Sequence, residues 1–244
     1  MLKEFRDVTF LYIIHPDSIE RVENLLLSIS YIKERFDTNI HVLEVGAYEN
    51  NILPKLLDKD IKYRFIKDTD SILFRTRYLN VMLNSSSTKF VAVIDCDIIV
   101  PQGQLEEAMH KLRSGEVHVV YPFTNFYDTS AIFRNLYVKT KDDAFFHNYV
   151  KYMNELYSPG PTGGIYICSL EAYKEIGLEN ENFYGWGVED GERFVRWKCS
   201  RFTLERVEGP LFHLTHPRAI NSVIHSLAQT AIKRRLINKT KYSE

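Results

Sequence analysis

The stretch Val91–Pro101, VAVIDCDIIVP, decides the fold. With Lys89 and Phe90 ahead of it, its first half is an apolar, β-forming run. Such a run suits a strand buried on both faces, as in a sheet covered by helices. The run ends in Asp95 and Asp97. In extended chain, residues i and i+2 point to the same side, so the two carboxylates would share one. They repel unless a cation or donors sit between them, and taking them from water without such partners is costly. A hard divalent metal with oxygen ligands, shared with substrate phosphates, fits such a place. The plain alternative is a solvated strand end with two turn-forming aspartates.

Outward from this strand, apolar runs alternate with helical patterns. Val8–Ile14 (VTFLYII) reads as another strand buried on both faces. Asp17 followed by Glu20 is a helix-start signal. Ile19, Val22, Leu25, Leu26, Ile29 and Ile32 then recur at helical spacing. Asn39–Val45 and Ile61–Ile66 read as strands and Ile72–Leu83 as a helix. This alternation predicts an α/β fold with crossover helices over a mixed, mostly parallel central sheet. Ligands in such sheets sit beyond the carboxyl ends of the strands. The second half is more mixed, with strand-like runs at Val117–Phe123, Gly163–Ser169 and Phe202–His216, and a final helix from about Ala219. No repeat or linker interrupts the chain, so one domain is expected over 1–244. Its expected parts are a nucleotide-binding half (1–100), an acceptor or catalytic half (101–218) and a C-terminal helix (219–244).

The 244 residues are 45% hydrophobic and 26% charged, with a formal net charge of -1. That balance suits a soluble globular protein, and it lacks the basic excess of a nucleic-acid binder. Cys96, Cys168 and Cys199 are odd in number and widely spaced, which reads as reduced thiols in a cytosolic protein. The N-terminus lacks the apolar core of a signal peptide, and no apolar run approaches the ~20 residues that span a bilayer. The expectation is a cytoplasmic protein, neither inserted nor secreted by that route. Peripheral attachment at the inner face of the membrane stays open. Lys233, Arg234, Arg235, Lys239 and Lys241 form a basic cluster near the end. It reads either as cations at a helix C-terminus, favoured by the dipole, or as a contact with an anionic membrane surface.

Two further clusters carry chemistry. Tyr184–Glu192 (YGWGVEDGE) sets glycines around Trp186 and places Glu189, Asp190 and Glu192 at the start of a helical pattern. An indole between glycines can swing over a ligand and exclude water; acids at a helix start also serve as simple caps. His213 and His216 in LFHLTHPR could ligate Mn²⁺ or Zn²⁺ as neutral imidazoles, or be a half-buried histidine and a turn cap. His15, His41, His110, His118, His147 and His225 show no such clustering and read as structural.

Taken together, the blocks resemble a glycosyltransferase of the GT-A (Rossmann-like nucleotide-diphospho-sugar transferase) fold. The nearest type is the metal-dependent β-1,4-galactosyltransferases and their bacterial relatives. ILFRTRYLNVML, VIDCDIIVP, the G-G segment leading into YGWGVEDGE, and HLTH match that family's blocks in order over roughly residues 8–217. The resemblance implies a UDP-sugar donor, of galactose or N-acetylgalactosamine type. It also implies a Mn²⁺ (or Mg²⁺) cofactor and a glycan or lipid-linked glycan acceptor. It makes Asp97, His213 and His216 the metal ligands, and Asp95 a support for ribose or metal. Asp190 becomes the general base, Glu189 a grip on donor or acceptor sugar, and Trp186 a moving cover. Arg75, with Arg77 as the alternative register, and Gly164 fall in donor-contacting stretches. Gly191 stands where animal members carry a third acid, which leaves the acceptor open. An aspartate at 190 implies inversion; retention, or UDP-sugar hydrolysis at the same metal site, are the alternatives.

Overall fold

The computed structural model describes residues 2–49, 51–222 and 227–242. Strand β1 (Lys3–Ile14) enters first and lies inside the main sheet. It is followed by α1 (Ile19–Lys33), β2 (Phe36–Gly46), a short α2 (Leu53–Leu56), β3 (Lys62–Lys67), α3 (Arg75–Asn84) and β4 (Phe90–Ile94). The α1 start differs from the expectation by one residue. Ser18, not Asp17, caps the helix, its Oγ accepting from the Arg21 amide at 3.2 Å, while Asp17 accepts from Arg21 Nε at 2.8 Å.

The second half contributes β5 (Ile98–Ile99), α4 (Gln102–Ser114), β6 (Val119–Tyr121), β7 (Asn125–Asp128), α5 (Ala131–Thr140) and α6 (Ala144–Tyr149). Then come β8 (Asn154–Leu156), β9 (Ile165–Ser169), α7 (Leu170–Glu175), α8 (Glu189–Cys199), β10 (Leu204–Arg206), β11 (Pro210–His213) and α9 (Leu227–Tyr242). The main sheet runs β10-β6-β9-β4-β1-β2-β3. All its pairs are parallel except those of β9 with β4 and β6. This is the mixed, mostly parallel sheet expected. The run at β4 is buried throughout, as its unbroken apolar sequence requires.

A second, four-stranded sheet, β5-β11-β7-β8, was not foreseen. The run Phe202–His216 is split between the two sheets, β10 in the first and β11 in the second. The final helix also starts later than expected. A 3-10 turn occupies Ile220–Ser222, and α9 begins at Leu227. His225 lies outside the described residues. Among the described residues, no helix is long and apolar enough to cross a membrane.

Candidate active site

The small sheet builds the first part of the site. Asp97 directly precedes β5, which pairs antiparallel with β11 so that Ile98 faces His213. The Leu214 amide donates to the Asp97 carbonyl at 2.7 Å, continuing the ladder past the strand end. On its other edge β11 pairs with β7, bringing His213 opposite Asp128. Three short strands thus gather Asp97, His213 and Asp128 from distant parts of the chain. His216 follows on the turn after β11. One ligand atom each from Asp97, His213 and His216 lies within 4.8 Å of the others.

The ring orientations suit a metal. His213 donates from Nδ1 to Asp128 Oδ1 at 2.7 Å, and His216 from Nδ1 to the Pro217 carbonyl at 2.8 Å. Both Nε2 atoms then turn to Asp97 Oδ2, at 3.6 Å and 3.0 Å. An imidazole whose other nitrogen is held by a carboxylate or carbonyl is the usual form of a metal-bound histidine. One oxygen and two nitrogens suit a borderline divalent ion such as Mn²⁺. Burial disfavours a charged His213 ring, but Asp97 and Asp128 outweigh it and push its pKa up to about 10. A bound cation would take the place of that proton. Asp128 is the residue that the sequence reading missed.

Asp95 does not join this cluster. Cys96 and Asp97 lie in a turn rather than extended chain, so the same-side argument does not apply, although both carboxylates reach one cleft. Asp95 is instead ion-paired with Arg75 at the start of α3. Burial and the charges of Asp190 and Asp97 raise the Asp95 pKa, while Arg75 opposes them. Cys96, between Asp95 and Asp97 in sequence, donates from Sγ to the Ile13 carbonyl at 3.1 Å. Arg75, not Arg77, lines the cleft, together with His15 and Arg21 after β1. Of the six histidines read as structural, His15 therefore reaches the site.

The opposite wall is the start of α8. Backbone φ values of 70° at Gly185, 98° at Gly187 and 77° at Val188 fold the loop back before the helix begins at Glu189. Trp186 is 37% exposed at the cleft rim. Its loop is held from α9, where Lys233 Nζ donates to the Gly185 carbonyl at 3.2 Å and the Trp186 carbonyl at 3.0 Å. Lys233 is thus buried in the cleft wall and not part of a surface cluster; Arg234, Arg235 and Lys239 remain exposed. Gly191 lies beneath α9. A Cβ there would meet Ile237 Cδ1 at 3.9 Å, ordinary contact, so packing alone does not demand glycine.

The two glycines of the G-G segment have separate reasons. A Cβ at Gly163 would stand 2.9 Å from Asp190 Oδ2, so the absent side chain is what admits this carboxylate. Gly164 has φ of 92°, and a Cβ there would meet Leu211 Cδ1 at 2.9 Å. Its carbonyl accepts from the Asp95 amide at 2.8 Å. Gly164 therefore joins the strand carrying Asp95 to the wall carrying Asp190. Trp186, Glu189, Asp190, Arg75, Asp95, Asp97, Gly164, His213 and His216 all line a single cleft of about 570 Å³.

Glu189 is buried, and its Oε2 has no partner among the described residues. Burial, then the charge of Asp190, pushes its pKa up to about 7. A carboxyl raised on folding holds its proton more tightly in the folded state. That stabilisation is full below the ordinary glutamate range and is lost as pH rises through about 7. Glu189→Gln is expected to leave Tm nearly unchanged at about pH 4 and raise it by on the order of 5 °C at about pH 8. Thermal melts with the same shift at both pH values would contradict the burial argument.

Comparison with known proteins bears on the fold and on one segment of the chain. Residues 144–219 match a family model described as the N-terminal domain of galactosyltransferase. A segment of 47 residues is 38% identical to xylosylprotein 4-beta-galactosyltransferase of Caenorhabditis elegans, covering 19% of this chain and 16% of that protein. Among solved structures, the catalytic domain of Drosophila beta1,4-galactosyltransferase 7 in complex with xylobiose superposes with a TM-score of 0.57 at 15% identity. That match covers 96% of this chain and 80% of the other. A mannosyltransferase from Pyrobaculum calidifontis, in complex with GDP-Man and Mn²⁺, also has a TM-score of 0.57, at 12% identity, over 88% of this chain and 59% of its own. The chain therefore has the GT-A fold of these solved glycosyltransferases, and its segment 144–219 is similar to the galactosyltransferase family.

Proposed function

We propose that the protein is a metal-dependent, inverting hexosyltransferase that moves a sugar from a UDP-sugar to a hydroxyl of a glycan acceptor. One observation carries this reading. The Asp97–His213–His216 cluster and the Asp190 carboxylate line the same cleft, beneath Trp186. Mn²⁺ or Mg²⁺ held by Asp97, His213 and His216 would supply the positive charge against which a diphosphate departs.

The remaining work falls to the chain. Arg75, beside Asp95, meets the donor on the side of the β-strand ends. Trp186 covers the sugar and keeps water out. Glu189, with an oxygen that lacks a partner among the described residues, accepts from a sugar hydroxyl. Asp190 takes the proton from the acceptor hydroxyl as its oxygen bonds to the anomeric carbon. A single displacement of this kind inverts that carbon. Galactose is the favoured sugar, because a variant of the Drosophila neighbour was solved with manganese, UDP-Gal and xylobiose.

The test is a panel of UDP-galactose, UDP-N-acetylgalactosamine, UDP-glucose, UDP-N-acetylglucosamine and UDP-glucuronate with Mn²⁺, and GDP-mannose as contrast. Acceptors include xylobiose. The readouts are thermal shift and nucleotide release with and without acceptor. A UDP-sugar is expected to raise Tm and to turn over with an acceptor. Acceptor-independent release would point to hydrolysis, and a Tm rise with GDP-mannose alone would remove the UDP assignment.

A further inference from the structure

Asp190 is not alone at the cleft wall. Arg193, one helical turn further along α8, donates from Nη2 to Asp190 Oδ1. Its Nη1 donates to Glu179 Oε1 at 3.0 Å, and its guanidinium carbon lies 4.2 Å from the centre of the Tyr166 ring. Arg193 and Glu179 are each only 1% exposed. Glu179 is fixed in turn. Its Oε1 accepts from the hydroxyls of Tyr166 on β9 and Tyr173 on α7, and its amide donates to Asn80 Oδ1 on α3. Burial alone would raise the Glu179 pKa, but Arg193 and then Tyr173 bring it below the ordinary range. Glu179 therefore stays charged.

The two oxygens of Asp190 are not equivalent. Oδ1 is taken by Arg193, whereas Oδ2 lies over Gly163 with no donor among the described residues. Building on the reading of Asp190 as the base, we propose that Arg193 is its positioning residue. Arg193 holds Oδ1 so that Oδ2 is presented to the acceptor hydroxyl. Glu179 is the second half of the device. When the proton moves from the acceptor oxygen to Asp190 Oδ2, the carboxylate charge is lost and a buried arginine would be left without a counter-ion. Removing one partner of a buried pair is strongly unfavourable; Glu179 prevents that, because it remains paired with Arg193 throughout the transfer. The ring of Tyr166 adds a cation-stabilising face.

The experiment compares wild type with Arg193→Gln, Arg193→Lys, Asp190→Asn and the double variant Asp190→Asn/Arg193→Gln, using the donor–acceptor pair that turns over in the panel. Arg193→Gln is expected to lower kcat by ~10–100-fold with the donor KM within about twofold, because only the alignment of the proton acceptor is lost. Arg193→Lys restores part of that rate. The double variant is expected to be no slower than Asp190→Asn, since Arg193 acts through that side chain. A kcat for folded Arg193→Gln within about twofold of wild type, or losses that multiply in the double variant, would overturn the role. Should Arg193→Gln fail to fold, Glu179→Gln/Arg193→Met removes both buried charges and is expected to show the same kcat loss. The two readings fail separately. A fast Asp190→Asn removes the base and this proposal with it; a slow Asp190→Asn beside a fast Arg193→Gln removes only Arg193.

Discussion

Asp190→Asn is expected to lower turnover by ~10²–10⁴-fold, the usual contribution of a positioned general base. Metal-dependent binding of the UDP-sugar should survive. The physical reason is the separation of the parts. The ligand cluster sits on the small sheet and the turn after β11, whereas Asp190 sits on α8 over Gly163. Asparagine keeps the shape of the side chain and can still face Arg193, which retains Glu179 as its counter-ion. What disappears is the lone pair that accepts the acceptor's proton. Nucleotide release with saturating acceptor measures the loss, and thermal shift with the UDP-sugar checks the binding. A variant that binds donor and turns over within a few-fold of wild type would show that Asp190 is not the base.

The second large effect concerns the metal. Excess chelator is expected to abolish transfer and added Mn²⁺ to restore it; Asp97→Ala should lose at least ~10²-fold and not recover with Mn²⁺. Asp97 is the member that both histidine Nε2 atoms face, so its loss dismantles the cluster rather than trimming it. Asp128→Ala should be milder, weakening Mn²⁺ by ~10–100-fold, because it frees the His213 ring without removing a ligand. A ligand that binds only the folded state raises Tm, so Mn²⁺ should stabilise wild type and leave Asp97→Ala unchanged. Full transfer in excess chelator would rule out a metal-dependent reaction.

The inner strands β1 and β4 of the main sheet were legible because burial on both faces demands unbroken apolar runs, as in VAVI before Asp95. The small sheet was not. Its strands are two to four residues long, too short for any periodicity to register. Asp128 was invisible for the same reason, since only its register against His213 gives it a role. Helix α4 could have been read, as Leu105, Ala108, Met109 and Leu112 follow helical spacing and are buried. Lys233 was misplaced because a charge pattern cannot say which lysine of a basic run turns inward to accepting carbonyls. The blocks around Asp97, Asp190 and His216 were legible through a resemblance; that they meet in one cleft follows only from the topology.

The lining of the cleft begins at Ile13 and ends at Lys233. Strand β1 pairs in the sheet with β4, yet its cleft-lining end faces a pocket that Lys233 of α9 completes. The pocket is thus built from parts of the chain far apart in sequence. The shape of the pocket therefore depends on α9 staying docked, because Lys233 ties the Gly185–Trp186 loop to that helix.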